Sequence, residues 1–313
     1  MNIVCDKTLL SAAIDGVSKA VTMRSSIPVL EGILLKAEGF QLTLTGYDLE
    51  MGIVTTIEAN IKEPGEIVLN AKLLSSMISR MPAGQISIVA ADNGKTTIQS
   101  GVAQFEIQSM PATDFPDLPN TGAEQTLTIK TGVLRDMIDR TLYAVSQDEK
   151  KPAHTGELFE IELDKLTIVA LDGYRLAIVE RPITAVKDIR IIVPSKTMTE
   201  VSHLLANDDE EDVHISANRR YVVFTTAGYT IMGRLIEGEF LNYRNVIPAG
   251  SRTRVTIDTK DFISTIERAS LIITERLKNP LRISFTGVKS WCAARPTSAA
   301  WWTSSAPPAR VMR

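Results

Sequence analysis

Apolar residues at Leu10, Ala13, Ile14 and Val17 recur at the spacing of one helical face, so the chain predicts an amphipathic helix near its start. The same pattern returns 124 residues later in Val133-Leu134-Arg135-Asp136-Met137-Ile138, with Leu142 and Val145 continuing the face. A third copy runs from Asp261 to Ala269. A polar loop and a proline follow each helix, at Pro28, Pro152 and Pro280. Further on, Ile67–Leu74 is matched by Ile191–Met198, again 124 apart. In both, a β-branched strand runs into a short helix that carries one lysine near its start, Lys72 or Lys196. Alternating apolar and polar positions then predict strands at Gln85–Val89, Thr96–Gln99 and Gln104–Gln108, and in the second copy at Asp212–Ser216, Tyr221–Thr226 and Thr230–Leu235.

Such self-similarity decides the architecture before any single motif does. Boundaries fall near 120–126 and 248–253, where Pro, Gly, Thr and Ser cluster. The organisation is therefore 1–122, 126–250 and the start of a third, incomplete repeat at 253–286, with 287–313 as a separate tail. Tight polar turns rather than long crossovers join successive strands, which predicts an α+β fold with antiparallel sheets. Repeats of this kind bury their faces against neighbours and build arcs or rings.

Composition narrows the functional classes. The chain holds 34 Lys+Arg against 37 Asp+Glu, a net charge of −3, so any nucleic-acid surface must be a local concentration of basic residues. Cys5 and Cys292 are the only cysteines, too few for a disulfide framework or a four-cysteine zinc site. Without an apolar run of about 18 residues or a secretory leader at Met1–Asp6, the expectation is a soluble, reducing, cytoplasmic protein without a membrane partner. His154, His203 and His214 have no metal-ligand spacing, and no metal or cofactor is indicated. Asn93-Gly94-Lys95-Thr96 resembles the end of a phosphate loop, but Val89 occupies the place of the required glycine, so a hairpin turn is expected. The acidic run Asp208–Asp212 reads as a solvated loop. No catalytic constellation emerges, and the expectation is a protein that is not an enzyme.

One pair of segments is more informative, Leu44-Thr45-Gly46-Tyr47-Asp48-Leu49-Glu50-Met51 and Ala170-Leu171-Asp172-Gly173-Tyr174-Arg175-Leu176-Ala177, each a glycine-bearing turn between strands in equivalent places. Together with Met110-Pro111-Ala112-Thr113-Asp114-Phe115-Pro116, Ile192-Val193-Pro194-Ser195-Lys196 and Glu237-Gly238-Glu239-Phe240 through Pro248, they make the chain resemble the bacterial sliding clamps, the beta subunits of DNA polymerase III. The likeness covers roughly residues 1–286, in the family's order and spacing.

That resemblance implies a processivity factor without catalytic activity of its own. It implies three similar domains per subunit and a homodimeric ring around double-stranded DNA, with helices lining the hole and antiparallel sheets outside. The partners implied are the replicative polymerase, the clamp loader and other proteins with a clamp-binding motif. DNA-facing candidates are Arg24, Lys72, Arg80, Arg135, Gln147 and Lys196, whose contacts to phosphates would be sequence-independent and salt-sensitive. A pocket for short peptides would use Leu171, Gly173, Tyr174, Arg175, Leu176, Leu241, Val246 and Leu277, an apolar slot with one arginine. His154 stands where the family usually has an apolar residue, and Leu241 where it often has proline. The reading set against this one is a three-repeat α+β enzyme or small-molecule binder with a site between repeats.

After Thr286 the pattern collapses. The last 27 residues contain all three tryptophans, Trp291, Trp301 and Trp302, and no acidic residue where the chain average would place about three. Reading Val288–Ser305 from each codon's third base permits strand-like Glu-Val-Val-Val-Arg at 289–292 and a Val-Asp-Glu-Leu ending at 299–305. The tail therefore reads as a stretch in another frame.

Overall fold

Strand β1 (Asn2–Asp6) stops where Asp6 turns its carboxylate onto the amides of Thr8 and Leu9, at 2.7 and 3.2 Å. This N-cap starts helix α1 (Lys7–Val17), which buries the predicted face Leu10, Ala13, Ile14 and Val17. The first repeat continues through β2 (Gly32–Glu38), β3 (Gln41–Tyr47), β4 (Met51–Glu58), β5 (Asn60–Glu63) and β6 (Gly65–Asn70). Helix α2 (Ala71–Arg80) follows, capped by Asn70, and then β7 (Gln85–Ala90), β8 (Lys95–Ser100) and β9 (Ala103–Gln108). The second repeat runs through β10 (Glu124–Lys130), α3 (Thr131–Asp139), β11 (Gly156–Glu162), β12 (Lys165–Leu171), β13 (Leu176–Pro182), β14 (Ile189–Pro194) and α4 (Ser195–Leu204). It ends in β15 (Asp212–Ala217), β16 (Tyr221–Thr225) and β17 (Tyr229–Arg234). Strands β2, β3 and β6 and helix α2 recur with both boundaries displaced by 124, as β11, β12, β14 and α4. The register slips only after α4, where 205–211 connects to β15 and the shorter 81–84 connects to β7.

This computed structural model describes residues 1–119, 122, 124–205, 209–226, 228–250, 254–271, 273, 281–286, 289–294 and 311–312. The chain forms two units, Met1–Leu241 and Asn242–Arg313.

In the first unit every strand pair is antiparallel. One sheet has the order β5-β1-β7-β8-β9, another β13-β12-β11-β14. The third sheet has eight strands, β10-β15-β16-β17-β4-β3-β2-β6, and is shared by both repeats. Its seam is the pairing of β17 with β4, from Tyr229 opposite Thr55 to Gly233 opposite Met51. Beneath the sheets lies one apolar core with members from both repeats, including Leu35, Ile98, Phe159 and Phe224. The last two meet edge to face, their centroids 6.5 Å apart.

Several expectations are corrected. Helix α3 ends at Asp139 instead of carrying its face on to Leu142 and Val145. The Thr141 hydroxyl turns back onto the Met137 carbonyl at 2.8 Å, Leu142–Ala144 forms a 3-10 turn, and Val145 is extended. Gly46 is a strand residue of β3, not a turn residue. A Cβ there would lie 2.1 Å from the Val17 carbonyl oxygen, so close approach of the backbone requires glycine. The acidic run is largely exposed, as expected of a solvated loop, but it also carries ion pairs: Asp209 with Arg135 at 3.3 Å and Asp212 with Lys130 at 2.9 Å, while Asp208 lies outside the described residues. Asn93–Lys95 is a hairpin turn between β7 and β8, with Gly94 at φ +80°.

In the second unit, β18 (Arg254–Val255) precedes α5 (Thr259–Ser270), the third predicted helix, capped by Asp258 accepting from the Asp261 amide at 3.0 Å. Strand β19 (Leu281–Thr286) pairs with β20 (Lys289–Ala294), and β18 pairs with β21 (Val311–Met312). Backbone pairing thus continues past Thr286, beyond the last sequence signal for a strand. Pro280, Trp301 and Trp302 lie outside the described residues.

Candidate functional site

The turn from β12 to β13 is built by one carboxylate. Asp172 Oδ1 accepts from the amides of Tyr174 and Arg175 at 2.9 and 3.0 Å, and Oδ2 accepts from Arg175 Nε at 2.8 Å. These donors, the Tyr174 amide first, hold the Asp172 carboxyl below the usual carboxylate range. Gly173 occupies the left-handed region at φ +90°. Tyr174 is fully exposed, while the Arg175 guanidinium lies 5.4 Å from the centroid of the Tyr143 ring, a cation–π distance. Leu171 is buried and Leu176 half-buried. Beneath the turn, Ala170 and Ala177 pack with Ala144 and Val145.

The structure thus brings Leu171, Gly173, Tyr174, Arg175 and Leu176 into one turn. Tyr174 stands out from it rather than lining a slot, because the cap fixes the backbone and leaves the ring in solvent. Leu241 is half-exposed at the end of the first unit, Val246 is exposed in the second, and Leu277 lies outside the described residues. Tyr143 was missed in the sequence: it falls outside the helical face that its neighbours define. Another missed contact is His154 edge-on to Phe240 at 5.6 Å, where burial, followed by the charge of Lys151, pushes the imidazole below its usual pKa. Phe240 also lines a cavity of about 340 Å3 with Leu158, Ile192, Leu235 and Ile236, rimmed by Arg190 and Arg219.

The basic candidates divide by their partners. Arg24 and Lys72, both exposed, line one groove of about 420 Å3 together with Ser18, Thr22, Ser75 and Ser76. Arg80 is exposed at the end of α2, and Gln147 is exposed on the segment after α3. Lys196, at the start of α4, pairs with Asp48 of the first repeat, whose side chain is only 5% exposed. Asp48 also caps its own turn by accepting from the Glu50 and Met51 amides. Arg135 reaches Asp209 and the Leu205 carbonyl, both at 3.3 Å, and so ties α3 to the loop after α4. Of the acidic residues on the same helices, Asp136 is held by Arg140 at 2.6 Å and Arg181 at 2.7 Å, and Asp139 by the Ser202 hydroxyl at 3.0 Å.

Comparison with known proteins places this geometry. Residues 1–119 match the family described as DNA polymerase III beta subunit, N-terminal domain, and 128–242 match its central domain. The beta sliding clamp of Bacillus subtilis is 30% identical over 294 residues, covering 91% of this chain and 78% of that protein. The beta sliding clamp of Synechocystis is 32% identical over 308 residues, with the same coverages. Among solved structures, the DNA polymerase III subunit beta of Pseudomonas aeruginosa aligns with a TM-score of 0.91 at 27% identity, over 99% of this chain and 85% of that one. A P. aeruginosa clamp bound to griselimycin aligns at 0.89 and 27% identity, over 100% and 84%.

Proposed function

The chain belongs to the DNA polymerase III beta subunit family, the bacterial beta sliding clamps, and from that premise we propose which of its residues carry the role. As a sliding clamp it is a DNA polymerase processivity factor, and the reading as a small-molecule binder or enzyme is set aside. The family match across both complete repeats carries this conclusion.

A clamp works by topology and weak electrostatics, not by bond chemistry, so we take the chain to be a non-catalytic accessory subunit acting on double-stranded DNA in the cytoplasm. Among the described residues no helix is long and apolar enough to cross a membrane. Arg24 and Lys72 in one groove, with Arg80 and Gln147 exposed, are the groups best placed to meet phosphates without reading bases. Arg135 and Lys196 belong to the same proposed set, but each is held in an ion pair, so their first role is to fix α3 and α4.

The proposed peptide site for the polymerase, the clamp loader and similar partners is the Leu171–Leu176 turn with Leu241, Val246 and Leu277. Arg175 on the Tyr143 ring and the exposed Tyr174 offer a cation and an aromatic face to an extended segment. Homodimerisation once the frame is restored, the domains 1–122 and 126–250 with the start of a third at 253–286, and an out-of-frame tail at 287–313 complete the proposal. Resequencing the gene across codon 287 tests the tail, and sedimentation of the chain with the frame restored tests the dimer.

Function is tested by primer extension on a circular template with polymerase and clamp loader. Long products that shorten with Arg24→Ala and Lys72→Ala, equally on all template sequences, support the assignment. Products unaffected by adding the chain overturn it. For the peptide site, Tyr174→Ala with Arg175→Ala is expected to abolish binding of a labelled clamp-binding peptide while the Asp172 cap keeps the turn folded, and unchanged affinity removes the assignment.

A further inference from the structure

The internal repeat supplies its own control for one unusual buried group. By the 124-residue register, Val17 and Ile33 of the first repeat correspond to Thr141 and Glu157 of the second. Val17 and Ile33 are wholly buried in the core, and so are Thr141 and Glu157. An apolar pair has thus been exchanged for a hydroxyl and a carboxyl at the same depth.

The hydrogen count at this pair is restrictive. Thr141 Oγ1 lies 2.5 Å from Glu157 Oε1, 2.8 Å from the Met137 carbonyl and 3.2 Å from the Ile138 carbonyl. A hydroxyl has one hydrogen, and carbonyls have none to give. The Thr141 amide is directed to the Ile138 carbonyl at 3.0 Å, which leaves the buried Met137 carbonyl at the helix end to the hydroxyl. The short contact to Glu157 then requires a hydrogen from the carboxyl. The other oxygen, Oε2, has no hydrogen-bond partner among the described residues, which suits a neutral acid and penalises an anion.

We propose that Glu157 is a proton-gated latch: as the neutral acid it donates to Thr141 and clamps the end of α3 and the 142–155 segment onto β11, and as the anion it lets that segment open. Besides this bond, the segment is anchored by the Ser195 amide to the Thr155 carbonyl at 3.2 Å and by the packing of Ala144 and Val145 on Ala170 and Ala177, while the Ser146 amide to the His154 carbonyl at 2.9 Å lies within it. It presents Tyr143 beneath Arg175, and it carries Gln147. Opening would therefore disturb an exposed recognition surface from below.

Electrostatics agrees with the geometry. Burial pushes the Glu157 carboxyl up to about 8 and the charge of Asp139 on α3 adds to the rise, whereas a Thr141 hydroxyl turned to donate to the carboxylate instead would lower it. On the packed elements the charges are engaged elsewhere: Asp136 with Arg140 and Arg181, Arg135 with Asp209, Lys196 with Asp48, Glu200 with His203, and, on β11 and its neighbouring strands, Glu160 with Arg190 and Lys165 with Glu162 and Glu180. Those of 148–151 are exposed.

Amide hydrogen exchange of residues 141–155 in the full chain, corrected for intrinsic rates and followed from pH 6 to 9.5, tests the latch. Wild-type protection is expected to fall by about tenfold per pH unit up to about pH 8 and to level off above it. Glu157→Gln, which can still donate to Thr141, is expected to show no such fall. Equal pH dependence in both chains, or none in the wild type, overturns the proposal. Should Glu157→Gln fail to fold, 13C titration of wild-type glutamate carboxyls decides: one midpoint near 8 supports the latch, and every midpoint below about 5.5 ends it.

Discussion

Two repeats in register offer a comparison that few chains contain. At the strand-to-helix junction, α2 and α4 start at equivalent positions with lysines at equivalent positions, yet Lys72 makes no ion pair among the described residues and Lys196 is bound to Asp48. The partners are themselves equivalent, since Asp48 corresponds to Asp172. Asp172 pairs locally with Arg175, whereas Asp48 reaches across into the second repeat. The same scaffold therefore leaves a cation available in one copy and consumes it in the other. A shared position in a repeat predicts a shared backbone, not a shared partner.

The largest expected effect tests whether the repeats are energetically one body. Leu35 and Phe159 are equivalent and fully buried, so Phe159→Ala is expected to cost about 3–5 kcal/mol and Leu35→Ala about 2–5 kcal/mol. Because they share a core and an eight-stranded sheet, each should lower a single melting transition. Two separable transitions in calorimetry would break the comparison into independent domains.

Next comes the polar pair. Making the second repeat like the first with Thr141→Val and Glu157→Ile is expected to stabilise the chain at pH 8 by about 2 kcal/mol, from replacing a buried polar pair with apolar groups. The sign with pH follows from the raised carboxyl: its contribution is fully present below the unfolded-state pKa near 4.5 and is lost as pH rises to about 8. The variant's advantage in denaturant midpoint should therefore shrink towards pH 4.5. An advantage that does not vary with pH would show that Glu157 is ionised in the folded state.

A smaller difference separates the lysines. Lys196→Ala leaves the buried Asp48 carboxylate short of one partner and is expected to cost about 1 kcal/mol, a figure kept low because the lysine is half-exposed. Lys72→Ala should change stability by less than about 0.5 kcal/mol while flattening the salt dependence of DNA retention. A reversal of these two effects would exchange the roles assigned to the copies. Smallest is the turn. Leu49 holds φ +75° where its counterpart Gly173 holds +90°. Gly173→Ala is expected to lose about 1 kcal/mol, whereas Leu49→Gly should move stability by less than about 0.5 kcal/mol, as relief of strain offsets the added chain entropy.

Much of this architecture is legible in the chain alone. Alternation located β7 to β9 and β15 to β17 within a residue or two, and the spacing of Leu10, Ala13, Ile14 and Val17 marked the buried face of α1, because a strand or helix face is a local property of side-chain periodicity. Repetition itself was visible for the same reason. The Asp172-Gly173-Tyr174-Arg175 turn could be found, since capping and positive φ impose residue types over four positions. What the chain could not decide were the pairings between distant segments. Nothing in β4 or β17 specifies that they join two repeats into one sheet, because alternation says which face is buried and not which edge is met. Likewise the sequence shows that Lys196 and Arg135 are basic, but only packing brings Asp48 and Asp209 to them. Charge is a property of the residue; its availability depends on what the tertiary fold places within about 4 Å.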